Sequence, residues 1–220
     1  MGKDGKKKAS NTAKGPKKKD LIARIAELEA QVNGPKGPLT SPLAPEFPEL
    51  PAIDGVRFAT AQAGVKYKNR TDVMLAEIAA GSSVAGVFTT SATRSAAVRD
   101  CQDKLKRKAA SGGWAILVNS GNSNAFTGAA GDQSVQAIST GVSHALGLPA
   151  SRVLTASTGV IGQPLPHDRI TAVLDKLATR LDAGEMGTAA RAIMTTDTFP
   201  KGSSRTVDVG GKTVTIAGIA

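Results

Sequence analysis

Residues 152–166, RVLTASTGVIGQPLP, constrain the fold more than any other stretch. A short apolar strand (Val153, Leu154) runs into a polar turn from Thr155 to Gly159. Gly162, Pro164 and Pro166 then lead to a helical repeat of Ile170, Val173, Leu174, Leu177 and Leu181, ending about Asp182. A strand that stops on small residues and restarts as a helix is a unit of an α/β layer. It leaves backbone N–H groups without intrachain partners. Such a turn can hold an anion, or the oxyanion formed when an acyl carbon is attacked. Most junctions of this form are plain connections. The stretch alone leaves both readings open.

The chain before and after this junction alternates strand and helix. VRFATAQAGV, from Val56, DVMLAEIA and SVAGVFTT read as strands, the last two joined as an antiparallel hairpin at Gly81-Ser82-Ser83. Residues 95–110 read as a helix with Ala97, Val98, Cys101 and Leu105 on one face, so Cys101 is expected to be a small core residue. The run WAILV, Trp114 to Val118, is a central strand ending in NSGNSNA. Those three asparagines suit a ligand-facing turn or, slightly better, a structural Asx turn. A helix is expected over residues 132–146, its buried stripe being Val135, Ile138, Val142 and Leu146. Neither His144 nor His167 has metal-ligand spacing, and no metal is expected. A short helix over 188–194 runs into Thr195-Thr196-Asp197-Thr198, whose polar side chains can line a pocket or simply cap and turn. SRTVDV and KTVTIAGIA close the chain as a hairpin across Gly210-Gly211.

Composition enters through the core and the charge. Aromatic residues make up only 3% of the 220, so Ala, Val, Ile and Leu must build the interior. One cysteine excludes internal disulfides, and no apolar run reaches the roughly 18 residues of a membrane span. A soluble, cytoplasmic protein is expected. The net charge of +10 is concentrated in residues 1–40, which carry ten Lys or Arg against four Asp or Glu. Residues 1–19 are low-complexity and expected to be disordered. From Asp20, read as a cap, Leu21, Ile25, Leu28 and Val32 form two heptads, ended by Gly34 and Pro35. Prolines 35, 38, 42, 45, 48 and 51 then mark an extended linker. The expected division is therefore 1–52, tail and linker, and 53–220, folded domain.

Taken together, GVKYKNRTDVML, SVAGVFTT, VNSGNSNAFTG, STGVIGQPLP and AIMTTDTFPK resemble one family. It is the bifunctional ornithine acetyltransferase/N-acetylglutamate synthase family of arginine biosynthesis, matched from about Ile53 to Ala220. The resemblance implies a layered α-β-β-α sandwich like that of the N-terminal-nucleophile hydrolases. It implies a precursor that cuts itself between Ala and Thr into associated α and β chains. The freed Thr of the β chain takes the acetyl group of N2-acetylornithine and passes it to glutamate. By motif match, Thr158 (hydroxyl) and Gly159 (backbone N–H) form the oxyanion hole. Thr195 binds substrate, with Thr196 as the one-place alternative. Lys66, Lys68 and Arg70 have the chemistry for a carboxylate but are read as solvated surface charges.

No bound cofactor is expected, and whether acetyl-CoA also serves as acetyl donor stays open. The family's substrate-binding Lys and its nucleophilic Thr are expected beyond Ala220, in a hetero-oligomer of α and β chains without a membrane partner. The 220-residue chain alone is accordingly expected to be inactive. The rival reading is an inactive truncated scaffold whose basic tail binds nucleic acid or a protein partner.

Overall fold

The computed structural model describes residues 17–33, 40–106 and 111–220. The disorder expected of the tail, the helix stop at Gly34 and Pro35, and the last turn of the helix expected over 95–110 fall largely or wholly outside these residues. The chain divides into two units, residues 1–41 and 42–220. In the first, helix α1 (Lys18–Asn33) places Asp20 inside its first turn. The Asp20 and Leu21 N–H groups bond to the Lys17 carbonyl, so Asp20 favours the positive helix end without being the cap. Leu21, Ile25 and Leu28 stay exposed.

The second unit is built on a four-stranded sheet in the order β1-β2-β3-β4. Strands β1 (Val56–Ala61), β2 (Val73–Ile78) and β3 (Trp114–Asn122) are successively antiparallel. Strand β4 (Val153–Val160) lies parallel to β3 and is reached through helix α3 (Gly128–Leu146). One face packs Ala59, Val73, Leu75, Ala115, Leu117 and Val153 against Ile138 and Val142 of α3. The same cluster takes in Ile170 of α4 (His167–Thr171) and Leu174 and Leu177 of α5 (Leu174–Ala178). The other face packs Phe58, Met74 and Ala76 against Met186, Ala189 and Ala192 of α6 (Met186–Ala192). Ala217 and Ile219 join it from the two-stranded sheet of β5 (Gly202–Val209) and β6 (Lys212–Ile219). Apolar side chains are therefore wanted on both sides of β3, which is why WAILV is continuous.

Helix α2 (Ala96–Lys106) packs along the outer edge of β4, where Lys104 Nζ donates to the Val153 carbonyl at 2.7 Å. Cys101 is 5% exposed, and its Sγ approaches the Thr155 carbonyl at 3.3 Å. Burial pushes its thiol pKa up, so it remains a protonated core residue. A colorimetric thiol reagent is expected to leave Cys101 unmodified in the folded chain and to titrate it fully in denaturant. Rapid labelling without denaturant would contradict this packing.

The structure corrects several expectations. Residues 83–90 form no strand: β1 and β3 already occupy both edges of β2, so SVAGVFTT has no edge there to pair with. Val84 and Phe88 instead pack beside Cys101, Trp114 and Leu154, while Val87 is fully exposed. The polar turn expected at 155–159 is strand, because Thr155 to Val160 pair in register with Leu117 to Asn122. The helix expected from Ile170 to Asp182 is two short helices, broken around Val173, whose N–H turns back to Ile170. Residues 42–52, read as linker, lie with the second unit: Phe47 and Leu50 sit so close over Gly202 that its absent Cβ would fall 2.8 Å from the Phe47 ring. Among the described residues, no helix is long and apolar enough to cross a membrane.

Candidate active site

The site lies where β3 and β4 end side by side. Ser120 pairs with Thr158 and Gly121 with Gly159. The two glycines allow this approach. Gly159 has φ of 134°, and a Cβ on it would sit 2.4 Å from the Gly121 carbonyl carbon and 2.6 Å from the Asn122 nitrogen. Gly121, at φ of 96°, in turn leaves room for Lys66, whose Cβ would lie 2.9 Å from an added Cβ.

The three asparagines hold these strand ends in place. Asn119 Nδ2 donates to the Asn122 carbonyl at 2.9 Å and its Oδ1 accepts from Ser157 Oγ at 2.7 Å. Asn122 Nδ2 donates to the Gln163 carbonyl at 3.0 Å, and its Oδ1 accepts the Asn124 N–H at 2.7 Å. Asn124 is fully buried, has φ of 47°, and donates to the Gly131 carbonyl at 3.0 Å. Every amide is spent on the backbone or on a neighbouring side chain, so the three asparagines are Asx-type scaffold and not ligand surface.

Two further segments close over the strand ends. The loop between β1 and β2 is tied down by buried Asp72, whose carboxylate accepts the N–H groups of Ala63 (2.7 Å) and Val65 (2.6 Å). Lys66 Nζ adds a bond to Gln163 Oε1 at 2.8 Å. From this loop Arg70 reaches to the turn after α6. Its Nη2 donates to the Met194 carbonyl and its Nη1 to the Thr195 carbonyl, the latter at 3.5 Å. That turn is also closed by Asp197, whose carboxyl is held below its ordinary pKa by a hydrogen bond from Lys201 and, less strongly, by the Thr195 N–H.

The result is a pocket of about 350 Å³ lined by Tyr67, Arg70, Gly121, Thr158, Gly159, Val160, Thr195 and Thr196. All four residues singled out from the sequence as site residues converge on it. Arg70 corrects its reading as a solvated surface charge: it is half-buried and lines the pocket. Tyr67 was not anticipated at all. Both are placed by long-range contacts that local spacing does not encode. Lys66 and Lys68 are exposed, as read. Clefts of about 520 Å³ lie at the opposite end of the sheet, around Ile53, Arg57 and Glu77, and between α2 and α3. Neither joins the glycine-cleared strand ends.

The Thr158 hydroxyl has no hydrogen-bond partner among the described residues. The Gly159 amide follows from strand geometry. The Val153 and Thr155 carbonyls leave β4 on its outer edge, toward Lys104 and Cys101. Peptide groups alternate edges along a strand, so the Gly159 N–H turns to that same outer edge, away from β3. A hydroxyl and an N–H, both outside the ladder, stand at the mouth of one pocket.

The sequence pattern of the ArgJ family matches residues 57–220. The chain is similar to the arginine biosynthesis bifunctional protein ArgJ of Ruegeria pomeroyi, at 60% identity over 181 residues. That covers 82% of this chain and 44% of the relative. The corresponding protein of Bradyrhizobium diazoefficiens is 50% identical over 82% of this chain and 43% of its own length. The chain thus spans less than half the length of these curated relatives. Among solved structures, ArgJ of Bacillus halodurans superposes with a TM-score of 0.68 at 30% identity, covering 81% of this chain and 92% of that one. An ornithine acetyltransferase of Mycobacterium tuberculosis, solved with ornithine, gives 0.68 at 32% identity, over 77% and 89%. The layered α/β fold is shared with both, and residues 1–56 lie outside the family match. The chain belongs to the ArgJ family.

Proposed function

We propose that the protein to which this chain belongs transfers acetyl from N2-acetylornithine to glutamate, and that this chain supplies the oxyanion donors and part of the substrate pocket. The supporting observation is the convergence of Thr158, Gly159, Thr195 and Thr196, from two distant segments, on one pocket. The nucleophile is a Thr at the start of a β chain released by self-cleavage, which stays associated in a hetero-oligomer. Its Oγ attacks the acetyl carbonyl carbon while its own α-amine takes the hydroxyl proton. The carbonyl oxygen becomes an oxyanion, and the Thr158 hydroxyl and Gly159 N–H donate to it. The C–N bond then breaks, ornithine leaves with the proton on its amine, and an acetyl-Thr ester remains. The glutamate amine attacks that ester and the same donors serve the second tetrahedral intermediate; the ester C–O bond then breaks, and the proton lost by the attacking amine passes through the Thr α-amine to the freed Thr hydroxyl. Thr195 orients the substrate.

The assay is made on this chain assembled with the half that its relatives carry beyond the matched region. N-acetylglutamate and ornithine are expected in equal amounts from N2-acetylornithine and glutamate without acetyl-CoA. Without glutamate, the protein itself is expected to carry one acetyl per Thr nucleophile. No transfer by the assembled, folded protein would overturn the reading. A parallel reaction with acetyl-CoA and glutamate decides whether that thioester is a second donor.

A further inference from the structure

We infer that Arg70 is the carboxylate receptor of this pocket and makes it selective for acylated amino acids with a free α-carboxylate. The inference rests on the acetyl-transfer reading. Its own ground is a charge left without a counter-ion. Arg70 lines the pocket beside Thr158, Gly159 and Thr195, yet both its bonding partners, the Met194 and Thr195 carbonyls, are neutral. No ion pair found among the described residues includes it. The acids two residues along the chain from Arg70 and from its partner Thr195 are committed elsewhere. Asp72 is bonded to the Ala63 and Val65 N–H groups, and Asp197 is paired with Lys201.

A guanidinium keeps its charge at any pH a folded protein survives, and its planar fork carries more N–H donors than two carbonyls use. Half-buried, it is less screened than a surface charge. The two carbonyl bonds and the Tyr67 ring, 6.0 Å from the guanidinium carbon, hold it in place before substrate arrives. Little side-chain freedom is then lost on binding. N2-acetylornithine and glutamate share one anionic group in common, the α-carboxylate, so one fixed cation can serve both halves of the cycle.

Replacing that carboxylate by the carboxamide in N2-acetylornithine separates this role from mere pinning of the 194–195 turn. In the assembled protein, kcat/KM is expected to favour the acid by about 10- to 100-fold, the range of a charge-assisted hydrogen bond. Arg70→Gln is expected to bring that ratio near unity, mostly through KM for the acid. Arg70→Lys is expected to keep a preference for the acid while weakening both substrates. An Arg70→Gln protein that loses acid and amide equally, preserving the ratio, would reduce Arg70 to a structural pin and overturn the inference. Wild-type protein that handles acid and amide alike would overturn it without any variant.

Equilibrium binding of acid and amide, measured by calorimetry on the same proteins, keeps the two claims apart. Arg70-dependent preference for the acid without turnover would remove the acetyl-transfer reading and support the receptor. Turnover with no preference in binding or kcat/KM would do the reverse.

Discussion

Gly159→Ala is expected to abolish acetyl transfer and to destabilise the fold by about 3 kcal/mol or more. Two costs combine at this position. The backbone is held at φ of 134°, a conformation essentially restricted to glycine. The added methyl would also meet the β3 main chain at 2.4 to 2.7 Å. Those are backbone atoms inside a parallel ladder, so neither side can yield by turning a rotamer; β3 and β4 must part. Their separation would pull the Gly159 N–H off the oxyanion position while disturbing the Asn119 and Asn122 network. Gly162→Ala is the control: at φ of 76°, with no atom of the described residues beyond its chain neighbours within 4 Å of the new Cβ, it carries only conformational strain. That strain is about 1 to 2 kcal/mol. Urea unfolding of the three proteins, with equal m-values, should rank wild type, Gly162→Ala, then Gly159→Ala in falling midpoint. Equal midpoints for wild type and Gly159→Ala would show that the two strands are not in such close contact.

The legible parts of this chain are those whose signal is local. WAILV, the stripe of Val135, Ile138 and Val142, and the hairpin across Gly210-Gly211 each carry a period or a turn residue that only one element satisfies. The failures are non-local. SVAGVFTT has the composition of a strand, but a strand exists only where an edge is open, and the sheet order closes both edges of β2. Thr155 to Gly159 looked like a turn because small polar residues usually are. Here they pair with Leu117 to Gly121 on β3, and β-branched Thr155, Thr158 and Val160 tolerate that extension well. The motif residues of the site were visible as resemblance. Their convergence was not, since it depends on Arg70 spanning from one loop to another across the strand ends. A basic residue in a loop carries no local mark that distinguishes a solvated charge from one held by two distant carbonyls.

Thr158→Ala should separate catalysis from stability in the opposite way to Gly159→Ala. Turnover of N2-acetylornithine and glutamate by the assembled protein is expected to fall by about 100- to 1,000-fold, the usual cost of one oxyanion donor. The urea midpoint should barely move. Thr158 is half-exposed and its hydroxyl has no hydrogen-bond partner among the described residues, so its removal leaves no buried partner there unsatisfied. Because the donor acts on an oxyanion that exists only after attack, the loss belongs in kcat, with KM nearly unchanged. Both half-reactions pass through such an intermediate, so the rate of protein acetylation without glutamate should fall with the overall rate. Thr158→Ser keeps a hydroxyl at the same strand position and should retain most activity. If the Ala variant were as active as wild type, the hydroxyl would not face the reacting oxygen, and the Gly159 N–H would have to act with a donor from elsewhere. If instead KM rose with kcat intact, Thr158 would hold the ground-state acetyl group. The pocket would then be a binding surface whose oxyanion donors lie outside this chain's strand ends.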